Sequence, residues 1–237
     1  MYVSNNLAAI EDCQACKQRG ESAFCRLPMD CLRVFDQISY AVRYPEHAVL
    51  FMEGQPCQAV FVLCSGRAKL TTASRDSRTV MLRIAAAGEV LGLSAVLTAT
   101  DYDVSAETLA PAVVRVCRRE DFVHFLHSFP VTNFQALGTL SHEYEIALDS
   151  VRSLAWLPTA SARVAQLLLQ LCSKDPRPQR EARAKLILTQ EQIAQMTATT
   201  RETVTRLFSQ LRREHVISIR GSDLIIRNRA ALEQLAS

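Results

Sequence analysis

The segment Leu188-Thr189-Gln190-Glu191-Gln192-Ile193-Ala194-Gln195-Met196-Thr197-Ala198-Thr199-Thr200-Arg201-Glu202-Thr203-Val204-Thr205-Arg206-Leu207 contains two helix starts. Thr189 followed three residues later by Gln192 is a capping box: the hydroxyl accepts from the N3 amide and the glutamine side chain reaches back to the cap. It predicts a short helix with Ile193 and Met196 facing inward. Thr197-Ala198-Thr199 makes the turn. Thr200 then caps a second helix, Arg201 to about Glu214, whose buried stripe is Val204, Leu207, Phe208 and Leu211. Two short helices joined by a tight turn form a helix-turn-helix. Downstream, Val216-Ile217-Ser218-Ile219 and Leu224-Ile225-Ile226 flank Gly221-Ser222-Asp223, a hairpin that reads as the wing of a winged helix-turn-helix.

On the second helix, Arg201, Glu202, Thr205 and Arg206 fall opposite the buried stripe, in the turns that meet base edges in a major groove. Arginine grips guanine O6 and N7 with two hydrogen bonds, and glutamate accepts from cytosine N4. A carboxylate repels phosphates, so its presence on a basic surface points to base reading. The plainer alternative is an i,i+4 ion pair between Glu202 and Arg206 on a solvated helix. From Trp156 onward the chain carries thirteen Lys and Arg against seven Asp and Glu, a net +6 in a protein whose total is only +3. That asymmetry favours a polyanionic partner.

Upstream the hydrophobic period is helical. Phe134, Leu137, Leu140, Tyr144, Leu148 and Val151 recur every three or four residues along one long helix. Such a stripe packs on its own domain or on the same helix of a second subunit. Pro158 ends that helix, Ala162 to Cys172 is another, and Ser173 to Lys185 reads as an exposed loop. Between Val42 and Phe122 the pattern is short and strand-like. The runs are Ala48–Phe51, Ala59–Leu63, Ala68–Thr71, Thr79–Ile84 and Ala112–Cys117. Turn residues separate them at Glu53-Gly54-Gln55-Pro56, Ser65-Gly66, Arg75-Asp76-Ser77 and Ala87-Gly88-Glu89. Regular short strands with such turns predict a sandwich or jelly roll, and the chain as a whole reads as α+β.

At 237 residues and 49% hydrophobic, the chain can bury a core, which excludes disordered and collagen-like classes. No apolar run approaches the roughly 18 residues of a membrane span. Met1 to Asp12 lacks the basic and apolar regions of a signal peptide, so a cytoplasmic protein with no membrane partner is expected. Eight cysteines are many for such a chain, and four crowd into the first 31 residues. Cys13-x-x-Cys16-x(8)-Cys25 places three thiols in one short segment, and Cys31 follows. Thiolates at that density bind soft metals, as an iron–sulfur cluster or zinc. Cys57, Cys64 and Cys172 sit in apolar or strand contexts and read as small core residues. The five histidines show no pairing that singles out a haem ligand. A thiol redox enzyme is the rival class, but it would set Cys-x-x-Cys after a strand in a βαβ unit, and no strand precedes Cys13.

The helix-turn-helix segment resembles that of the CRP/FNR family of bacterial transcription regulators. Arg201-Glu202-Thr203-Val204-Thr205-Arg206 carries that likeness most specifically. Leu50-Phe51-x-x-Gly54, Val62-Leu63-Cys64-Ser65-Gly66-Arg67-Ala68-Lys69-Leu70 and Gly88-Glu89-Val90-Leu91-Gly92 look like the family's jelly-roll strands and central turn. Ala198 departs from the family, whose turn usually carries glycine. The resemblance implies a Cys-rich segment over 1–31 and a cyclic-nucleotide-binding-like effector domain over 32–130. A dimerisation helix over 131–155 and a winged helix-turn-helix over 156–237 follow. It implies a homodimer on double-stranded DNA, with RNA polymerase as a further partner if the protein activates. Thr189 and Thr200 then belong with Arg201, Glu202, Thr205 and Arg206 at the DNA-binding surface. Glu202-x-x-Thr205-Arg206 is similar to the reading face of the FNR branch, which implies a palindrome with TTGA-like half-sites.

The cyclic-nucleotide branch holds ribose with a glutamate after the glycine turn and phosphate with an Arg-Ser pair. Here Leu93 and Val104-Ser105 stand at those places, so cyclic AMP is not expected. The FNR branch holds an oxygen-labile [4Fe-4S] cluster by three N-terminal cysteines and one in the β domain. On that likeness Cys13, Cys16 and Cys25 are candidate ligands, with Cys117 as the fourth and Cys31 as the alternative. Oxygen or redox sensing follows from an iron–sulfur centre. A zinc or thiol sensor, another small-molecule effector and no metal at all stay open beside it.

Overall fold

The computed structural model describes residues 12, 13, 16, 24–73, 79–157, 159–173, 182–186, 188–221 and 223–236. Pro158, Arg75-Asp76-Ser77 and the leader reading of residues 1–11 lie outside them. By internal contacts the chain divides into two units: the described residues of 1–73 with 82–145, and those of 74–81 with 146–237.

In the first unit two four-stranded antiparallel sheets face each other. α1 (Met29–Ile38) leads into β1 (Ser39–Tyr44), followed by β2 (Val49–Phe51), β3 (Ala59–Ser65), β4 (Arg67–Ala73), β5 (Thr79–Ala86) and β6 (Val90–Leu91). α2 (Leu93–Thr98), β7 (Ser105–Thr108), β8 (Ala112–Arg118) and α3 (Arg119–Ser128) complete it. One sheet runs β1-β8-β3-β6 and the other β2-β7-β4-β5. This is the jelly roll that the alternating runs predict. Its turns need residues at positive φ, and Gly66 at +86° is one case. A Cβ there would meet the Pro111 carbonyl oxygen and the Ala112 Cβ at 2.8 Å, so no side chain fits.

The β3 strand separates two cores. Phe61 and Leu63 point between the sheets, where Phe51 stacks on Tyr102 with ring centroids 4.2 Å apart. Val60 and Val62 point the other way, onto α1 and α3, where Phe24, Phe35, Phe122 and Phe125 interlock. Phe24–Phe35 is an edge-to-face pair at 4.9 Å, an arrangement worth about 0.5–1.5 kcal/mol beyond area burial. The strand-like reading to Phe122 is therefore too long: the strand ends at Arg118, and Phe122, Phe125 and Leu126 form the buried face of α3.

The long helix is α4 (Pro130–Trp156). Its faces divide the predicted stripe. Phe134, Leu137, Tyr144 and Val151 are exposed, whereas Leu140 packs on the core beneath α1 with the buried Ala136. Arg83 on β5 reaches both Glu89 and Glu143, the second at 2.8 Å, and so ties the sheet to the inner side of α4. Burial pushes the Glu143 carboxyl up despite the guanidinium beside it.

In the second unit α5 (Ala160–Ser173) packs on α8 (Arg229–Leu235), on α7 (Arg201–Arg213) and on β9 (Ala182–Lys185), while α6 (Gln190–Met196) lies against α7. β10 (Ile217–Arg220) and β11 (Asp223–Ile226) form the hairpin, and β9 adds to it in the order β10-β11-β9. The exposed-loop reading of 173–185 is corrected at its ends, where Ser173 closes α5 and 182–185 form a strand, while 174–181 lie outside the described residues. Residues 182–185 pair with β11 from Ala182–Ile226 to Lys185–Asp223, hidden from a pattern reading because the strand is two alanines alternating with Arg183 and Lys185, with no large apolar residue.

Candidate nucleic-acid interface and thiol cluster

Local hydrogen bonds set the two helices. Thr189 Oγ1 accepts from the Gln192 amide at 3.2 Å, and Gln192 Oε1 accepts from the Thr189 amide at 2.9 Å, closing the capping box. Thr200 Oγ1 accepts from the Thr203 amide at 3.3 Å and starts α7. Such caps contribute about 1 kcal/mol each. Thr189 and Thr200 thus do structural work whatever else they touch. Ile193 and Val204 are fully buried where the helices meet.

Ala198, in the turn, has φ +46°, a left-handed conformation that costs a non-glycine residue about 1–2 kcal/mol. Arg163 on α5 offsets the strain. Its Nε donates to the Thr197 carbonyl at 2.8 Å and its Nη2 to the Ala198 carbonyl at 3.3 Å.

Arg201, Glu202, Thr205 and Arg206 all project outward from α7, over the buried Val204, Leu207 and Leu211. Among the described residues Glu202 and Arg206 make no ion pair with each other, so the surface-pair alternative is not realised. The Thr205 hydroxyl lies against Gln190 Oε1 on α6 and 2.9 Å from the Arg201 carbonyl. It is held across the helix pair before any ligand arrives. Beside the hairpin, Arg212, His215, Arg220 and Arg227 line a shallow basic depression. These four were missed in the sequence, where basic residues scattered through a hairpin carry no periodic mark. Facing the phosphate backbone is what such a surface suits.

In the sandwich, Leu93 is buried in the core after Gly92, whose φ is +77°. Val104 packs against the inter-sheet core, and Ser105 Oγ accepts from the Glu53 amide at 2.9 Å. The three are absorbed into the fold.

The thiols gather elsewhere. The Cys13 amide donates to both carboxylate oxygens of Asp36, at 3.1 and 3.0 Å, and Asp36 pairs with the buried Arg115 of β8. Arg115 Nη1 also donates to Ser39 Oγ at 3.0 Å. Burial raises the Asp36 carboxyl, against the pull of these donors. Cys13, Cys16 and Cys25 are half-buried. Cys64 is buried, and its thiol is pushed up to about 11 by that burial. Burial raises the Cys13 thiol further. Cys31 lies within α1, packed in the core, with Asp30 as its charged neighbour. Cys117, pushed up to about 12 by burial, sits at the α3 end of β8 beside Asp121. Among the described residues no three His, Cys, Asp or Glu side chains stand ready as metal ligands. As a donor set, soft thiols beside a buried guanidinium fit an anionic iron–sulfur or zinc–thiolate centre. No helix among the described residues is long and apolar enough to cross a membrane.

Residues 41–129 match the cyclic nucleotide-binding domain family, and residues 162–235 match the Crp-like helix-turn-helix domain family. Among curated proteins, the cyclic AMP receptor protein of Thermus thermophilus is 25% identical over 201 residues, covering 84% of this chain and 90% of that one. The transcriptional activator protein FnrL of Cereibacter sphaeroides is 26% identical over 220 residues, covering 90% and 87%. Among solved structures, FixK2 from Bradyrhizobium japonicum is similar with a TM-score of 0.71 at 21% identity, over 84% of this chain and 98% of that one. A CooA mutant from Carboxydothermus hydrogenoformans gives 0.73 at 20%, over 85% and 89%. The structural likenesses establish the same α+β fold.

Proposed function

We propose that this chain, which belongs to the CRP/FNR family of DNA-binding transcription regulators and is not an enzyme, works as a cytoplasmic homodimer on palindromic DNA under the control of an N-terminal thiol-held metal centre. The observation that carries the DNA half is the outward face of α7, where Arg201, Glu202 and Arg206 make no ion pair among the described residues and stand above a capped, buried helix pair. Arg206 reads a guanine and Glu202 the cytosine opposite, in TTGA-like half-sites. Arg201 and the basic hairpin surface meet phosphates. The exposed Phe134, Leu137, Tyr144 and Val151 of α4 supply the subunit seam, which sets the two reading helices about one DNA turn apart, roughly 34–36 Å. A dimer so placed is able to contact RNA polymerase as an activator.

Cys13, Cys16 and Cys25 support the sensor half. These residues bind and orient the centre, and Arg115 supplies positive charge beside them. When bound, an iron–sulfur cluster supplies a group that oxygen dismantles. The reading places the protein nearer the FNR branch than the cyclic-nucleotide branch, because Leu93 and Val104 leave ribose and phosphate without partners.

Anaerobic purification tests the reading. Brown protein holding iron and acid-labile sulfide, bleaching in air with loss of binding to a TTGA-type palindrome in a gel shift, is the expected result. Colourless protein with one zinc and no sulfide would replace it with a zinc–thiol sensor of the same fold. DNA binding indifferent to air would refute the oxygen link.

A further inference from the structure

We propose that Cys64 on β3 completes the N-terminal centre as its fourth thiol ligand, in the place for which Cys117 and Cys31 were the sequence candidates. The proposal rests on the metal-centre reading above and concerns which residue of the β domain joins Cys13, Cys16 and Cys25.

The strand geometry places it there. Along β3, Val60 and Val62 face the core under α1, while Phe61 and Leu63 face between the sheets. Alternation carried one step past Leu63 would put Cys64 on the α1 side, and Cys13, on whose charge Cys64 bears, packs against that side. The pairing with β8 then slips: Leu63 stands opposite Val114 but Ser65 opposite Val113, so Cys64 is the extra residue of a β-bulge. Bulges re-aim side chains and gather at functional sites. Ser65 Oγ takes the Val113 amide at 3.2 Å, which leaves the Cys64 sulfur near the Arg115 backbone.

Arg115 connects the two halves. Its guanidinium bears on the charge of both Cys13 and Cys64, and Asp36 clasps it while accepting the Cys13 amide. Cys16 and Cys25 also lie close enough to Cys64 to bear on its charge. The charges of all three N-terminal thiols are thus coupled to one buried sulfur. Cys117 is set apart by register. It pairs with Val60, four residues along β3 from Cys64, about 13 Å at the rise of a strand. Its charged neighbour is Asp121 on α3.

The chemistry agrees. β3 lies inside its sheet between β8 and β6, so the paired residues Leu63 and Ser65 on either side of the bulge fix the backbone from which Cys64 projects. A buried guanidinium favours the net negative charge of metal-bound thiolates set beside its Asp36 partner.

The test is anaerobic reconstitution of the full chain and of the Cys64→Ala, Cys117→Ala and Cys31→Ala variants, with iron and sulfide counted per chain. Cys64→Ala is expected to retain about tenfold less of both, or lower, while the other two stay at the unmutated level. Cobalt(II) titration gives a second readout that tolerates weakened folding. Thiolate-to-cobalt charge-transfer intensity per bound ion follows the number of thiolates, and it should fall by about a quarter in Cys64→Ala alone. Full loading of Cys64→Ala with loss in Cys117→Ala or Cys31→Ala overturns the assignment while leaving the metal centre standing. An unmutated chain that takes up neither iron–sulfur nor cobalt removes the metal-centre reading and the assignment with it.

Discussion

Replacing Phe134 with alanine tests the dimer through one side chain. Phe134 is 78% exposed in the single chain, on the face of α4 that also carries Leu137, Tyr144 and Val151. A phenylalanine buries roughly 150–250 Å² when enclosed. Hiding the exposed part against a partner removes on the order of 110 Å² from water even at the low end, about 3 kcal/mol at ~25 cal/mol/Å². Alanine recovers a little of that, leaving a loss of about 2 kcal/mol per copy. A two-fold interface uses the residue twice, so the dimer loses about 4 kcal/mol, roughly a thousandfold in Kd. Within the chain the same change removes little, as for most surface substitutions, within about 0.5 kcal/mol. Sedimentation equilibrium over a concentration series measures the first quantity, and circular dichroism of the dissociated variant checks the second. A Kd within a few-fold of the unmutated chain would refute the seam. So would a monomer that has lost helix, since Phe134 would then be serving its own domain.

Gel shifts separate the two arginines of α7. Arg206→Ala should lose about 1–3 kcal/mol per half-site and relax preference at one guanine, whereas equal losses on palindrome and scrambled DNA would deny it base reading. Arg201→Ala should weaken all sequences alike and flatten the salt dependence. Ala198→Gly, by removing the left-handed strain in the turn, should stabilise the second unit by about 1 kcal/mol in a urea melt; destabilisation would mean that the alanine methyl packs against something. Calorimetry with cyclic AMP should show no saturable heat at cellular concentrations, because Leu93 and Val104 offer its ribose and phosphate nothing. A Kd in the low micromolar range would overturn that argument.

The helix-turn-helix was legible because its information is local. Thr189, Gln192 and Thr200 act within four residues of themselves, and those bonds are present. The sheets were legible where burial alternates over a longer run, as along β4, whereas the equally alternating β7 escaped because it spans only Ser105-Ala106-Glu107-Thr108. What escaped has causes of a different range. α1 and α3 were missed because Leu32 and Phe35, or Phe122 and Phe125, mark barely two helical turns each, and the cysteines drew the reading of the first segment. Leu140 was grouped with the exposed stripe because periods of 3.5 and 3.6 diverge too slowly over three turns to tell inner from outer face. Cys64 read as one apolar strand residue among several. Its neighbours at the bulge come from 39 to 51 residues away in the chain, a relation that only strand register expresses.

The fork of Arg83 onto Glu89 and Glu143 bears on how α4 can meet another helix. Thr132, Ala136, Leu140 and Glu143 lie along one line of that helix, each held by the sandwich. Phe134, Leu137, Tyr144 and Val151 follow a second line about a third of a turn around the axis, at 100° per residue. The clamp therefore acts as a key in a shaft. It fixes the helix's azimuth, and so the compass bearing along which the aromatic line points. Spinning the shaft by one residue would swing Phe134 well off any facing seam and pull Glu143 away from its guanidinium. Whatever rearranges the β5–β6 corner thus has a torsional handle on the direction from which a second subunit must approach.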